Sequence, residues 1–182
     1  MVAAAGVVRS LAATVALGLA LGAAGCGGKP AAPATTPVAP DGPPVELALP
    51  AVDGGEIALA SYRGKVVVLH VFTTWSLAAQ VEVEALAAAD LAEDVVVIGV
   101  ALDPEGRMLV APWRSGAGAP YLIALADEAT RAGQSPLGAL PAIPITIVLD
   151  HEGRIAARAD RQLTADELGA LIDAARARRP RS

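Results

Sequence analysis

Residues 66–86 read VVVLHVFTTWSLAAQVEVEAL, and this stretch passes from a run of β-branched residues into an alanine-rich segment. The first seven residues predict a central strand that is buried on both faces, because the run is continuously apolar except for His70. Residues 76–90 predict a helix, with Val83 and Leu86 on the face toward the core. A buried strand that leads directly into a helix indicates an α/β domain built around a sheet.

The remaining elements follow in an order that fits the same class. Apolar stretches at 45–49 and 56–59 flank Asp53-Gly54-Gly55 and predict an N-terminal β-hairpin. Thr164 and Glu167 form a capping-box pattern, which predicts the start of the last helix. Further strands are predicted at 95–102, 121–125, 145–149 and 154–159, a short helix at 127–132, and a short helix followed by a loop within 104–120.

Composition excludes several classes of function. The chain has 182 residues, with 14 basic and 19 acidic side chains and a formal net charge of -5, so a nucleic-acid partner is not expected. Its single cysteine, Cys26, excludes an intramolecular disulfide. With two histidines and that one cysteine, a dedicated zinc or copper site is not expected, and no cofactor is predicted.

Residues 1–25 have the layout of a secretory signal, with Arg9, a hydrophobic run and then small residues before Cys26. This junction resembles a bacterial lipobox, which predicts a lipidated Cys26 as the first mature residue, although Ala23 stands where a leucine is commoner. A plain signal peptide and an uncleaved membrane anchor are the alternatives. Gly27 after the cysteine favours the outer membrane in a Gram-negative cell.

Three further regions follow the predicted signal. Residues 26–44 join the cysteine to a proline- and alanine-rich stretch without hydrophobic periodicity, which predicts an extended, solvated tether. Residues 45–178 are the predicted globular domain, and 179–182 a basic tail whose end is either solvated or in contact with anionic lipid. We therefore expect a periplasm-facing domain of the cell envelope that its N-terminal lipid holds at a membrane.

Four groups of residues along 45–177 carry a family resemblance when they are taken in order. They are Asp53-Gly54 with Arg63-Gly64-Lys65, the HVFTTW sequence at 70–75, Glu82, and the segment 143–155 that begins Ile143-Pro144-Ile145-Thr146. Together they resemble the periplasmic thioredoxin-like family, the TlpA/redoxin proteins of the alkyl hydroperoxide reductase/thiol-specific antioxidant superfamily. The resemblance implies an α/β thioredoxin fold, a central mixed sheet flanked by helices with an N-terminal β-hairpin.

The same resemblance places the family's Cys-x-x-Cys pair at Ser76 and Ala79, so both sulfurs are missing from this sequence. It also implies that Pro144 follows a cis peptide bond and faces position 76, and that Glu82 corresponds to an acid near the family's cysteines. Thiol–disulfide exchange needs a thiolate to attack and a second sulfur to resolve, so we expect the dithiol activity to be absent. Ser76 is predicted to be a helix N-cap, and no nucleophile-elbow motif accompanies it.

Two polar residues, His70 in the predicted strand and Glu82 in the predicted helix, interrupt the apolar pattern. Glu82 is expected to be exposed or salt-bridged, with a polar ligand pocket as the alternative, because an unpaired buried charge is costly. His70 is expected to be half-buried with a structural hydrogen bond. Glu84 stands where the family has a helix-kinking proline, which predicts a straighter first helix.

Trp75, Ser76, Leu77, Ile143 and Pro144 are predicted to form a binding face whose exposed apolar side chains suit a protein partner. The first function hypothesis is therefore a redox-inactive, membrane-tethered thioredoxin-like protein that binds a partner there. The second is a component of envelope thiol–disulfide or antioxidant metabolism that uses a partner's cysteine or an unrecognised cofactor. The third is a structural envelope protein without a ligand at this face.

Overall fold

The computed structural model describes residues 36–37, 42–88 and 91–178. The predicted signal, the lipidation site at Cys26, most of the predicted tether and the basic tail at 179–182 lie outside these residues. Among the helices that are described, none combines the length and the apolar character needed to cross a membrane.

A mixed sheet forms the centre of the domain, and a two-stranded antiparallel hairpin lies beside it. In chain order the strands are β1 (Thr36–Pro37), β2 (Ala48–Pro50), β3 (Glu56–Ala58), β4 (Val66–Phe72), β5 (Val95–Ala101), β6 (Leu122–Leu125), β7 (Ile145–Leu149) and β8 (Ile155–Ala159). The sheet order is β1-β8-β7-β4-β5-β6. Strands β4, β5 and β6 are parallel to one another, whereas the pairs β4–β7, β7–β8 and β8–β1 are each antiparallel. The predicted central strand, N-terminal hairpin and closing hairpin are all confirmed.

Helices cover the sheet, and a single 3₁₀ turn follows β3. The 3₁₀ turn spans Leu59–Tyr62, and the helices are α1 (Leu77–Ala88), α2 (Arg107–Ala117), α3 (Glu128–Arg131) and α4 (Ala165–Arg176). All seven residues of β4 are buried, as the continuous apolar run predicts. Val68 and Phe72 face the cluster that contains α1 and α4, whereas Val67 and Leu69 face the hairpin β2–β3.

Helix α2 is longer than the short helix predicted within 104–120. It runs for 11 residues even though Pro112 lies inside it. Val110 on this helix is fully buried, and Trp113 stacks on Phe72 with ring centroids 4.5 Å apart. Tertiary packing therefore outweighs the poor helix propensity of the segment, and Gly118 with φ 65° ends the helix in the left-handed conformation.

Two residues of the predicted tether take part in the sheet. Thr36 pairs with Arg158 and Pro37 with Ala157, so β1 lies along the outer edge of β8. Proline is tolerated there because an edge strand leaves main-chain groups unpaired on one side. These two residues of the predicted tether therefore pair with the sheet of the domain.

The last helix begins as the capping-box pattern predicts. The Glu167 N–H donates to Thr164 Oγ1 at 3.3 Å, and the Thr164 N–H donates to the Glu167 carboxylate at 2.9 Å. Arg161 also donates to that carboxylate, and this hydrogen bond lowers the pKa of Glu167 to about 2. At the other end of α4, Arg176 forms a salt bridge with Asp94 at 2.8 Å. This arginine near the basic tail therefore has a partner within the domain.

Candidate functional site

The candidate site lies where β4 ends and α1 begins, and a buried carboxylate shapes its loop. Asp103, just after β5, accepts hydrogen bonds from the Thr74 N–H at 3.0 Å and from Thr74 Oγ1 at 2.6 Å. Asp103 is 2% exposed and Thr74 is half-buried, so a partly buried polar contact joins the ends of two neighbouring parallel strands. The sequence pattern did not single out Asp103. Its position after a strand parallel to β4 is the signal that could have located it.

Ser76 is the N-cap of α1, as predicted. Its Oγ accepts a hydrogen bond from the Ala79 N–H at 3.2 Å, and its carbonyl accepts from the Gln80 N–H at 3.2 Å. Its own N–H donates to the Thr73 carbonyl at 3.2 Å, which closes the turn into the helix. Ser76 is only 9% exposed and Ala79 is completely buried, so position 79 contributes a methyl group to the core.

Pro144 lies at the same end of the sheet as Ser76. The Ile143–Pro144 peptide bond is cis, as predicted. Ile145 pairs with Val71 across the β4–β7 ladder, which places Pro144 opposite the end of β4. The structure therefore brings position 144 to the segment that leads into α1.

The predicted binding face is only partly exposed. We call Trp75, Ser76, Leu77, Ile143 and Pro144 the capped face. Trp75 is 74% and Leu77 76% exposed, Ile143 is half-buried, and Ser76 and Pro144 are buried. The prediction of an exposed Pro144 is wrong, because this residue directly precedes the fully buried strand β7.

Val81 extends the exposed apolar surface and was missed from the sequence. It is 52% exposed and follows Leu77 by four residues on α1, which is the spacing that places two side chains on one side of a helix. Trp75 and Leu77 with Val81 therefore form an uncharged, solvent-facing surface at the start of α1.

Glu82 is buried, so the first form of its leading expectation, exposure to solvent, is wrong. The second form, an ion pair, has the His70 ring as its candidate partner. Glu82 is 1% exposed, and its Oε1 accepts a hydrogen bond from Thr146 Oγ1 at 2.7 Å. Residue 82 lies on the inner side of α1 with Ala79 and Leu86, which turns it toward the sheet. Burial raises the pKa of Glu82 to about 7, against the opposing hydrogen bond from Thr146.

His70 is a titratable neighbour of Glu82. It is fully buried rather than half-buried, and the predicted structural hydrogen bond joins its Nδ1 to the Tyr121 hydroxyl at 3.1 Å. Its Nε2 lies 3.6 Å from Glu82 Oε2. Burial lowers the pKa of His70 to about 4, so the ring is uncharged at neutral pH and offers no cation to Glu82.

Within residues 42–88 and 91–178, no three His, Cys, Asp or Glu side chains lie close enough together to hold a metal ion. The site is thus a capped helix start, an exposed tryptophan and leucine, and a buried acid beneath them. Hydroxyl and methyl groups at positions 76 and 79 supply no thiolate, and His70 is turned away from Ser76 toward Tyr121 and Glu82.

Comparison with known proteins agrees with this architecture. The model of the AhpC/TSA family matches residues 40–158, more than half of the chain. No curated protein matches the sequence.

Solved structures share the fold at low sequence identity. A DsbF homologue from Corynebacterium diphtheriae is 24% identical with a TM-score of 0.65, covering 80% of this chain and 95% of that one. A secreted thiol-disulfide isomerase from Corynebacterium glutamicum is 24% identical with a TM-score of 0.57, covering 70% of this chain and 84% of that one. A secreted Mycobacterium tuberculosis disulfide oxidoreductase is 19% identical with a TM-score of 0.57, covering 71% of this chain and 96% of that one.

Proposed function

Because this chain belongs to the AhpC/TSA family but has no sulfur at positions 76 and 79, we propose that it is a redox-inactive binding protein of the cell envelope. The proposal rests on one observation, which is how the side chains at positions 76 and 79 are used. The Ser76 hydroxyl is used as a helix cap, and the Ala79 methyl group is buried in the core. Neither group ionises near neutral pH, and the two cannot form a disulfide.

The capped face is the proposed binding surface. Trp75 and Leu77 leave about three quarters of their surface in water, and none of the five residues of this face carries a charge. Covering a large apolar side chain contributes about 1.5–3 kcal/mol, so two such side chains favour a partner that is itself apolar. An extended polypeptide segment with apolar side chains is the partner that suits the exposed Trp75 and Leu77.

A defined probe tests this binding. The chain has two tryptophans, so Trp113→Phe leaves Trp75 as the sole fluorescent reporter on the capped face. We expect a permanently unfolded, alkylated model polypeptide to shift Trp75 emission to the blue in a saturable way. Leu77→Ser in that background should weaken the affinity roughly tenfold or more, since one apolar contact is lost.

Leu122→Ser is the matched control, because Leu122 is an exposed leucine at the start of β6, away from the capped face. It should bind the polypeptide like the parent. Equal weakening by both substitutions, or no saturable shift in the parent, would count against a binding role for the capped face.

The proposed location rests on the predicted lipidation of Cys26 together with the secreted C. glutamicum and M. tuberculosis structures of the same fold. A diacylated N-terminus provides more than one acyl chain, which is enough for stable membrane attachment. Cys26→Ala should therefore move the protein from the membrane fraction to the soluble fraction of its host. Unchanged fractionation would instead favour an uncleaved anchor.

A further inference from the structure

Four polar side chains from four parts of the chain meet beneath α1. His70 comes from β4, Glu82 from α1, Tyr121 from the residue before β6 and Thr146 from β7. His70, Glu82 and Thr146 are at most 1% exposed, and Tyr121 is buried as well. The family scaffold thus encloses a polar cluster within an apolar core, where every polar atom needs a partner.

Two atoms of the cluster lack such a partner and lie opposite each other. Thr146 Oγ1 donates to Glu82 Oε1, and the Tyr121 hydroxyl hydrogen-bonds His70 Nδ1. Glu82 Oε2 and His70 Nε2 have no hydrogen-bond partner, and they are 3.6 Å apart. This separation is a few tenths of an ångström beyond a hydrogen bond, so one proton placed between them satisfies both atoms after a small approach.

We propose that His70 and Glu82 hold a single proton as a neutral pair, with a carboxylic acid at Glu82 Oε2 facing an unprotonated His70 Nε2. In this arrangement the Nδ1–H of His70 donates to the Tyr121 hydroxyl, and Thr146 donates to Glu82 Oε1. Both ring nitrogens of His70 and both carboxyl oxygens of Glu82 then have a complementary partner. The alternative, an imidazolium beside a carboxylate, would place two charges in a buried site, where taking each charge out of water is costly.

Electrostatics support the neutral form. Burial raises the pKa of Glu82 to about 7 and lowers that of His70 to about 4. Arg161, which precedes α4, is the charged group that acts on Glu82 from another element. Its positive charge opposes the rise in the pKa of Glu82, and its guanidinium is hydrogen-bonded to Glu167. Tyr121 remains protonated, because burial and the nearby Glu82 raise the pKa of its hydroxyl.

The pair makes folding stability less sensitive to pH than either residue alone would. In the unfolded chain, with pKa values of 4.5 for Glu82 and 6.5 for His70, the proton resides on the imidazole between these pH values. Folding moves that proton to the carboxylate, so the two residues together bind one proton in both states. Their contribution to stability is therefore flat from about pH 4.5 to 6.5.

Each residue alone gives a slope of opposite sign. Glu82 without His70 has a raised pKa in the folded state, so its stability contribution is lost as the pH rises from 4.5 toward 7. His70 without Glu82 has a lowered pKa, so stability is lost as the pH falls from 6.5 toward 4. Each slope approaches a tenfold change in the folded-to-unfolded ratio per pH unit, which is the effect of one proton.

Histidine NMR tests the proton positions directly in the full chain. The sequence has two histidines, His70 and His151, so isotope-labelled histidine gives two ring signals that His151→Asn assigns. At pH 6 we expect the His70 ring to be neutral, protonated at Nδ1 and acting as acceptor at Nε2. An imidazolium at pH 6, or a neutral ring protonated at Nε2, would overturn the proposal, and this result needs no variant at residue 70.

Urea unfolding between pH 4.5 and 6.5 tests the compensation. Relative to the parent, His70→Asn should become less stable as the pH rises, and Glu82→Gln should become more stable over the same range. Each difference should approach tenfold per pH unit. If both variants follow the slope of the parent, the two residues do not share a proton.

Discussion

The double substitution Ser76→Cys and Ala79→Cys is expected to produce a protein that forms an intramolecular disulfide across the first turn of α1. Both positions already lie at the helix start, with Ser76 Oγ 3.2 Å from the Ala79 nitrogen. A thiol at position 76 would meet the positive end of the helix dipole, which stabilises a thiolate and promotes oxidation. We expect nearly complete oxidation under mild oxidant, seen as the loss of two hydrogens in the intact mass and of reactivity toward a thiol reagent.

The comparison is made in the Cys26→Ala background, so that the introduced sulfurs are the only ones present. The single substitution Ser76→Cys is the matched control, because it supplies the attacking thiol without a resolving partner. It should stay reduced within the monomer. Free thiols that persist in the double variant under the same oxidant would show that positions 76 and 79 are not aligned as a cysteine pair.

Phe72→Ala is expected to have the largest effect on stability. Phe72 is fully buried at the end of β4, and its ring lies 5.2 Å from His70 and 4.5 Å from Trp113 between ring centroids. The ring also covers Gly99, where an added Cβ would come within 3.0 Å of Phe72 Cε1. Truncation should therefore cost about 3–5 kcal/mol of unfolding free energy, because the tightly packed surroundings leave a cavity.

Urea unfolding followed by circular dichroism gives this difference, with Phe72→Leu as the control. Leucine keeps most of the apolar volume, so it should cost distinctly less than alanine. A loss below about 1 kcal/mol for Phe72→Ala, which is below the usual range for truncating a buried aromatic, would contradict the packing described around β4.

Local patterns were sufficient to predict most of the fold. The continuous apolar run at 66–72 predicts a strand buried on both faces, and a strand at the centre of a mixed sheet is buried in that way. Thr164 and Glu167 predict a helix start because capping depends on residues three apart in the chain. Ser76 as a cap and the cis bond before Pro144 followed from the family resemblance, and both are confirmed.

Features that depend on distant contacts were not predicted. The 11 residues of α2 remain helical because Trp113 packs on Phe72, a contact that no local propensity shows. The burial of Glu82 depends on Thr146, which donates a hydrogen bond to its carboxyl group from a strand 64 residues later in the chain. A core tolerates an acidic side chain only when that side chain is neutral or hydrogen-bonded. The sequence alone does not show these conditions, so it predicts an exposed acid.

The exposure of the capped face also required three-dimensional information. The sequence identifies Trp75, Leu77 and Pro144 as apolar, but it does not show that the strand after Pro144 is covered on both faces. The structure restricts the exposed part to Trp75, Leu77 and the half-buried Ile143, and adds Val81. The proposed binding surface is therefore on α1 more than on the loop before β7.

Insulin reduction by the full chain, with dithiothreitol as the electron source, tests the central claim of lost thiol chemistry most directly. We expect the parent to match the buffer blank and the variant with cysteines at positions 76 and 79 to exceed it. Because Cys26 is the sole cysteine, Cys26→Ala removes any contribution from that thiol. Turnover above the blank that persists in Cys26→Ala would contradict the account and favour oxidoreductase chemistry that does not depend on sulfur in this chain.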